Sequence, residues 1–164
     1  MDPTQSRTAG EVMRRSLVFV RPDQKLTEAE RLLVDHHISG MPVIEGNKLV
    51  GMLSRSDLSR ARVLADALDG QIHDELNWDE TQADGFRPRD AERFEGFSQR
   101  YASLRVREVM RSQVVTCDVS TPIAKVAQLL LKHHIHRIIV VEGDKPVGII
   151  SSLDLVKLLA DGTS

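Results

Sequence analysis

Two segments of the chain carry the same alternation of apolar and polar positions. In the first, Leu17-Val-Phe-Val20 is a short β-prone run, which Arg21-Pro-Asp23 closes because proline has no N–H to give to a ladder. Ala29, Leu32, Leu33 and His36 then share one face at helical spacing, predicting an amphipathic helix capped by Thr27. Met41-Pro-Val-Ile44 predicts a buried strand with Pro42 at its start or edge, and Gly46-Asn47 a tight turn into a strand over Leu49 to Leu53. From Ser54 a second helix follows, with Leu58, Ala61, Leu64, Ala65 and Leu68 as its stripe. Ahead of these, Thr8 with Glu11 three residues on predicts a short capped helix to Arg15.

The second segment reads in the same order. Val106 to Met110 repeats the lead-in helix and Val114 to Cys117 the first strand. Ser120-Thr-Pro122 opens a helix with Val126, Leu129, Leu130 and His133 on its buried face. Ile138 to Val141 is a β-branched run suited to a central strand, Gly143-Asp144 a hairpin turn, Val147 to Ile150 a strand, and Ser152 to Ala160 a closing helix. Each residue from 11 to 60 meets its counterpart 97 positions later without a gap, and about 19 of these 50 positions are identical. Glu11-Val-Met-Arg14 returns as Glu108-Val-Met-Arg111, His36-His-Ile38 as His133-His-Ile135, and the Gly51 to Asp57 string as Gly148 to Asp154. The unit is a duplicated β-α-β-β-α motif of mixed α/β class. Each copy alone is close to the ~50-residue lower limit for an independent core, so one domain of two halves is expected.

The expected divisions are a loose terminus at 1–7, repeat one at 8–68, an insert at 69–105, repeat two at 106–160 and a tail at 161–164. The insert has no copy. It is acidic, yet it holds Trp78, Phe86, Phe94, Phe97 and Tyr101, five of the six aromatic residues. A plain linker would be poor in aromatics. Phe94, Phe97 and Tyr101 at i, i+3 and i+7 predict a helix, either packed on its own domain or contacting a partner.

Composition narrows the function. With 41% apolar and 28% charged residues the chain is ordinary for a soluble globular protein. Its net charge of −2 gives no concentrated basic face for nucleic acid. One cysteine, Cys117, leaves no intramolecular disulfide. The first residues lack the apolar core of a signal peptide, and no apolar run reaches the ~20 residues of a membrane span, so a cytoplasmic location without membrane insertion is expected.

The duplication, the element order and the twin Gly-h-h-Ser-x-x-Asp strings (h apolar) resemble a CBS domain pair, or Bateman module. That resemblance implies two units related by a pseudo-twofold axis, sheets packed together and helices outside. It also implies a homodimeric disc, adenine nucleotides (AMP, ADP or ATP, with NAD or S-adenosylmethionine as further candidates) in clefts, and control of an enzyme or transporter. His136-Arg137 before an apolar strand resembles the phosphate-binding edge in the γ subunit of AMP-activated protein kinase. By position in the family pattern, Thr116, Val119, His136, Arg137, Ile138, Ser151, Ser152 and Asp154 form the main candidate site. Val18, Pro22, Gly40, Met41, Ser54 and Asp57 form a weaker second one, where Phe19 stands in place of Thr116 and Ser39-Gly40 in place of His136-Arg137.

The chemistry of these residues leaves two readings open. Serine followed three residues later by an acid is a capping box and needs no ligand. An aspartate there can equally accept both hydroxyls of a ribose, while the helix start and serine donate to an anion. Arg137 can fork onto phosphate or form a surface ion pair, and the charge of His136 depends on pH. The paired histidines recur at matched helix ends, which favours repeat structure over a metal site, and no metal is called for. No nucleophile elbow, Walker loop or paired carboxylates occur at a meaningful spacing, so catalysis is not expected. The competing function is a ligand-free structural or dimerisation module acting through protein contacts.

Overall fold

The computed structural model describes residues 7–74 and 99–161, with side chains in the first span to Ala65. Trp78, Phe86, Phe94, Phe97, the Leu68 side chain, residues 1–6 and residues 162–164 lie outside the described residues, as do the expectations placed on them. In chain order the elements are α1 (Ala9–Val12), α2 (Leu26–Asp35), β1 (Gly40–Glu45), β2 (Lys48–Ser54), α3 (Arg55–Asp74), α4 (Val106–Val109), β3 (Thr116–Asp118), α5 (Ile123–Lys132), β4 (Arg137–Glu142), β5 (Lys145–Ser151) and α6 (Ser152–Asp161). Residues 99–103 are also helical. The class is mixed α/β, with a two-stranded sheet β1-β2 and a three-stranded sheet β3-β4-β5. Contacts group the chain into two compact units: Met1–Phe19, Met41–Met52 and Arg111–Ser164 in one, Val20–Gly40 and Leu53–Met110 in the other.

In the first unit β4 runs parallel to β3 and antiparallel to β5, which fixes the apolar faces of the sheet. Ile138, Val140 and Ile150 pack with Val126 and Leu130 of α5 and with Ala9 and Met13. Full burial of such side chains contributes about 1.5–3 kcal/mol each. Met13 crosses β5 at Gly148, where a Cβ would overlap its Sδ and Cγ. The close approach that this glycine permits is therefore taken by a side chain of the protein. In the second unit Leu26, Ala29 and Leu33 of α2 are buried, as are Leu58, Ala61 and Ala65 of α3.

Several local expectations are corrected. Residues 17–20 form no strand beyond a single bridge at Val20, and of the matching run in the second repeat only Thr116 and Cys117 join β3, which pairs Thr116 with Ile139. In the first repeat the residues at those two places are Phe19 and Pro42, and proline removes a ladder donor. Helix α2 starts at Leu26 with Lys25 at its N-cap instead of Thr27, because the Leu26 N–H is satisfied by the distant Leu104 carbonyl at 2.9 Å. Leu64 is 63% exposed and does not belong to the stripe.

His36 and His133 are exposed C-cap residues, not part of a buried face. Behind them His37 and His134 sit at φ 50° and 51°, the left-handed conformation that ends a helix. The Ile38 N–H returns to the Leu33 carbonyl and the Ile135 N–H to the Leu130 carbonyl, both at 3.0 Å, so each His-His-Ile closes a Schellman turn.

The lead-in of each repeat bonds to the body of the other. Ala9 N–H donates to the Thr121 carbonyl and Gly10 N–H to that of Val119, both at 2.8 Å. Their counterparts 97 residues on, Val106 and Arg107, donate to the carbonyls of Gln24 and Pro22 at 3.0 Å. Arg14 bridges Ile149 in β5, and Arg111 bridges Met52 in β2.

Candidate functional site

Strand register gathers the main candidate residues at one end of the three-stranded sheet. Thr116 pairs with Ile139, Ile138 with Ile150 and Arg137 with Ser151, so the start of β3, the start of β4 and the end of β5 coincide. Helix α6 begins directly after β5, and the Ser152 N–H donates to the His136 carbonyl at 2.9 Å, joining the two chain crossings. Ile138 is 1% exposed and belongs to the core, Thr116, Arg137 and Ser151 are half-buried, and His136 and Ser152 are exposed. Val119 is half-buried. Its N–H donates to the Val141 carbonyl at 3.2 Å, and its own carbonyl receives Gly10.

Asp154 sits in the first turn of α6. Its Oδ2 accepts the Ser151 N–H at 2.8 Å and the Ser151 Oγ–H at 2.6 Å, while its own N–H donates to Ser151 Oγ at 3.3 Å. This is the reciprocal capping box. Its Oδ1 accepts two further bonds, from Nε of Arg14 at 2.9 Å and Nη2 of Arg14 at 2.6 Å. Burial pulls the Asp154 carboxyl upward, but the Ser151 hydroxyl and amide and the Arg14 guanidinium outweigh it and hold the group below the ordinary carboxylate range. The Arg14 side chain is 55% exposed and that of Asp154 12%. The Arg14 backbone is fixed, exchanging two 3.0 Å bonds with Ile149. Sequence reading did not single out Arg14. The available signal was its place in the duplicated Glu-Val-Met-Arg string.

Of the second set, Asp57 is 4% exposed; its Oδ2 accepts the Ser54 N–H at 2.9 Å and Oγ–H at 2.5 Å, and its Oδ1 accepts Nη2 of Arg60. Ser54 and Asp57 are thus brought together as the spacing requires. Pro22, Gly40 and Met41 are buried and Val18 is half-buried. In the second unit a groove of about 220 Å³ runs between α2 and α3, walled by Glu30, Leu33, Val34, Arg55, Leu58, Ser59 and Arg62. Arg62 pairs with Glu30 and lies 5.1 Å from the Tyr101 ring centroid. Burial pushes the thiol of Cys117 up to about 11, which makes it a poor nucleophile. Among the described residues no three His, Cys, Asp or Glu side chains converge as a metal site, and no helix is long and apolar enough to cross a membrane.

Similarity to known proteins follows this geometry. YhcV of Bacillus subtilis is 26% identical over 145 residues, covering 88% of this chain and 80% of that protein. An uncharacterized protein of Methanocaldococcus jannaschii is 24% identical over 152 residues, covering 92% of the chain, which spans 39% of that relative's length. The structure of CBSX2 in complex with AMP matches with a TM-score of 0.68 at 23% identity, covering 97% of this chain and all of that one (100%). The CBS domain pair of protein MJ0100, in complex with 5′-methylthioadenosine and S-adenosyl-L-methionine, matches with a TM-score of 0.65 at 19% identity, covering 94% and 96%. Residues 9–64 and 106–161 each match the CBS domain, and with both repeats matched the chain belongs to the CBS domain family as a CBS pair.

Proposed function

We propose that this chain is a regulatory module that binds an adenine nucleotide beside Asp154 and controls a partner protein through the change in shape that follows. The observation that carries this reading is the register that gathers Thr116, Arg137, Ser151 and Asp154 at the head of α6. Asp154 takes the ribose hydroxyls, Ser151 and Ser152 and the helix start meet the anion, and Arg137 and His136 add charge-assisted donors. Thr116 and Val119 flank the base, and Ile138 backs the site from the core. The site built on Ser54 and Asp57, with Val18, Pro22, Gly40 and Met41, is the weaker one because its carboxylate is buried. AMP in CBSX2 supports the nucleotide class. The module acts without a catalytic step, as a homodimer in the cytoplasm, on an enzyme or transporter. A ligand biases it only by the difference in affinity for its two shapes.

Calorimetry of the folded protein with AMP, ADP, ATP, NAD and S-adenosylmethionine tests this; binding by at least one is expected, and no heat from any of them would sink the proposal. A second reading, a ligand-free dimerisation module, is favoured by the apolar side chains that α5 and α6 leave exposed: Leu131 at 75%, Leu153 at 56%, Val156 at 58% and Leu159 at 58%.

A further inference from the structure

An ionised carboxylate offers about four lone-pair sites, and Asp154 has all four in use: two for Ser151 and two for Arg14. The bonds to Ser151 belong to the helix cap and stay as long as α6 is folded. A ribose that takes Oδ1 must therefore displace the Arg14 guanidinium. That side chain is 55% exposed and, among the described residues, its one further side-chain hydrogen bond is to Ser151 Oγ at 3.5 Å, so little holds it in place. Its backbone is not, because the pairing with Ile149 holds it against β5. The displaced cation remains tethered at the mouth of the site.

We propose that Arg14 sets ligand class at the Asp154 site: it competes with ribose hydroxyls for Oδ1 and, once displaced, pairs with an anion on the ligand. The site then selects ribonucleotides bearing phosphate over neutral nucleosides and over cationic adenosyl sulfonium compounds. A neutral nucleoside displaces Arg14 and offers it nothing in return, whereas a phosphate gives the planar fork a new bidentate partner. Arg14 is a residue of the lead-in, so the exchange also alters the contact between that segment and the head of α6. This inference rests on the nucleotide reading above.

The test compares AMP with adenosine, which differ only in the phosphate, by calorimetry on the wild-type chain, Arg14→Ala and Arg14→Lys. Wild type is expected to prefer AMP. In Arg14→Ala that preference falls tenfold or more, adenosine binding no worse than to wild type because its competitor is gone. Arg14→Lys keeps the charge but not the fork, so its preference falls between those of wild type and Arg14→Ala. An unchanged ratio in Arg14→Ala, or equal weakening of both ligands, would overturn the role given to Arg14 while leaving nucleotide binding intact. No heat from either ligand in any of the three proteins would overturn this inference, and no heat from ADP, ATP, NAD or S-adenosylmethionine as well would overturn the nucleotide reading.

Discussion

In the first repeat the carboxylate of Asp57 is closed by Arg60, three residues further along the same helix, and is 4% exposed. In the second, Asp154 is closed by Arg14, which lies 140 residues away in sequence, and its side chain is 12% exposed. The Ser-x-x-Asp boxes themselves are built alike, with serine amide and hydroxyl on one carboxylate oxygen in both. The cations described on the other oxygen lie at different distances along the chain. Arg60 comes with α3 whenever that helix forms, and its counterpart in α6 is Lys157. Arg14 reaches its carboxylate only when the lead-in is docked on β5.

The same contrast extends to the helix faces. Positions Arg62, Ser59 and Ser56 of α3 are occupied in α6 by Leu159, Val156 and Leu153, all more than half exposed. Repeat one has a groove walled in part by the Arg62–Glu30 ion pair, and repeat two an exposed apolar face.

The sharpest attempt to break the comparison is to truncate both cores. Leu33→Ala and Leu130→Ala should each cost about 2–5 kcal/mol in urea unfolding. Similar losses would confine the asymmetry to the boxes and helix faces; a negligible loss for Leu130→Ala would extend it to the cores. Next, Asp57→Ala should cost about 2 kcal/mol and Asp154→Ala about 1, the range for a lost cap, with the larger value where the group is buried. Nucleotide affinity should move the other way, Asp154→Ala losing far more; equal effects on binding would discredit the ranking of the two sites.

Acid titration sharpens the Arg14 contact. Asp154 is held below the ordinary carboxylate range in the folded state, so its contribution is present above about pH 4, the unfolded value, and is lost as pH falls through the folded one. Thermal melts of Asp154→Asn should therefore show a flatter decline on acidification than wild type, and an unaltered slope would count against the bonding described. The smallest effect concerns the exposed face of α6. Val156→Glu should change stability by less than about 0.5 kcal/mol. In light scattering it should nevertheless halve the mass if two chains meet there; an unchanged dimer would place the contact elsewhere.

The duplication, the helix spacing and the hairpins were legible in the sequence because they rest on local rules. Val126 and Leu130, Ile138 and Val140, and both Ser-x-x-Asp boxes lie as their spacing requires. What escaped depends on partners distant along the chain. Leu26 starts its helix because Leu104 accepts its N–H, and the run at 17–20 makes only a bridge at Val20, with Pro42 where its copy has Ile139. The histidines at the helix ends looked like an apolar face at i+3 and i+7 but are turn residues, since the left-handed step ends the helical register there. Arg14 was hidden for the same reason as Leu26. Nothing within ten residues of it hints at Asp154.

The crossed lead-ins have a consequence for the order in which the molecule can be made. The arm Ala9 to Arg14 leaves the ribosome well before its hydrogen-bonding partners Thr121, Val119 and Ile149. Until β5 emerges, that arm has no native place to settle, and the core around Met13 stays open. Native closure must therefore wait for β5, and a nascent chain stalled before it would leave a buried methionine and alanine in water, available to a chaperone.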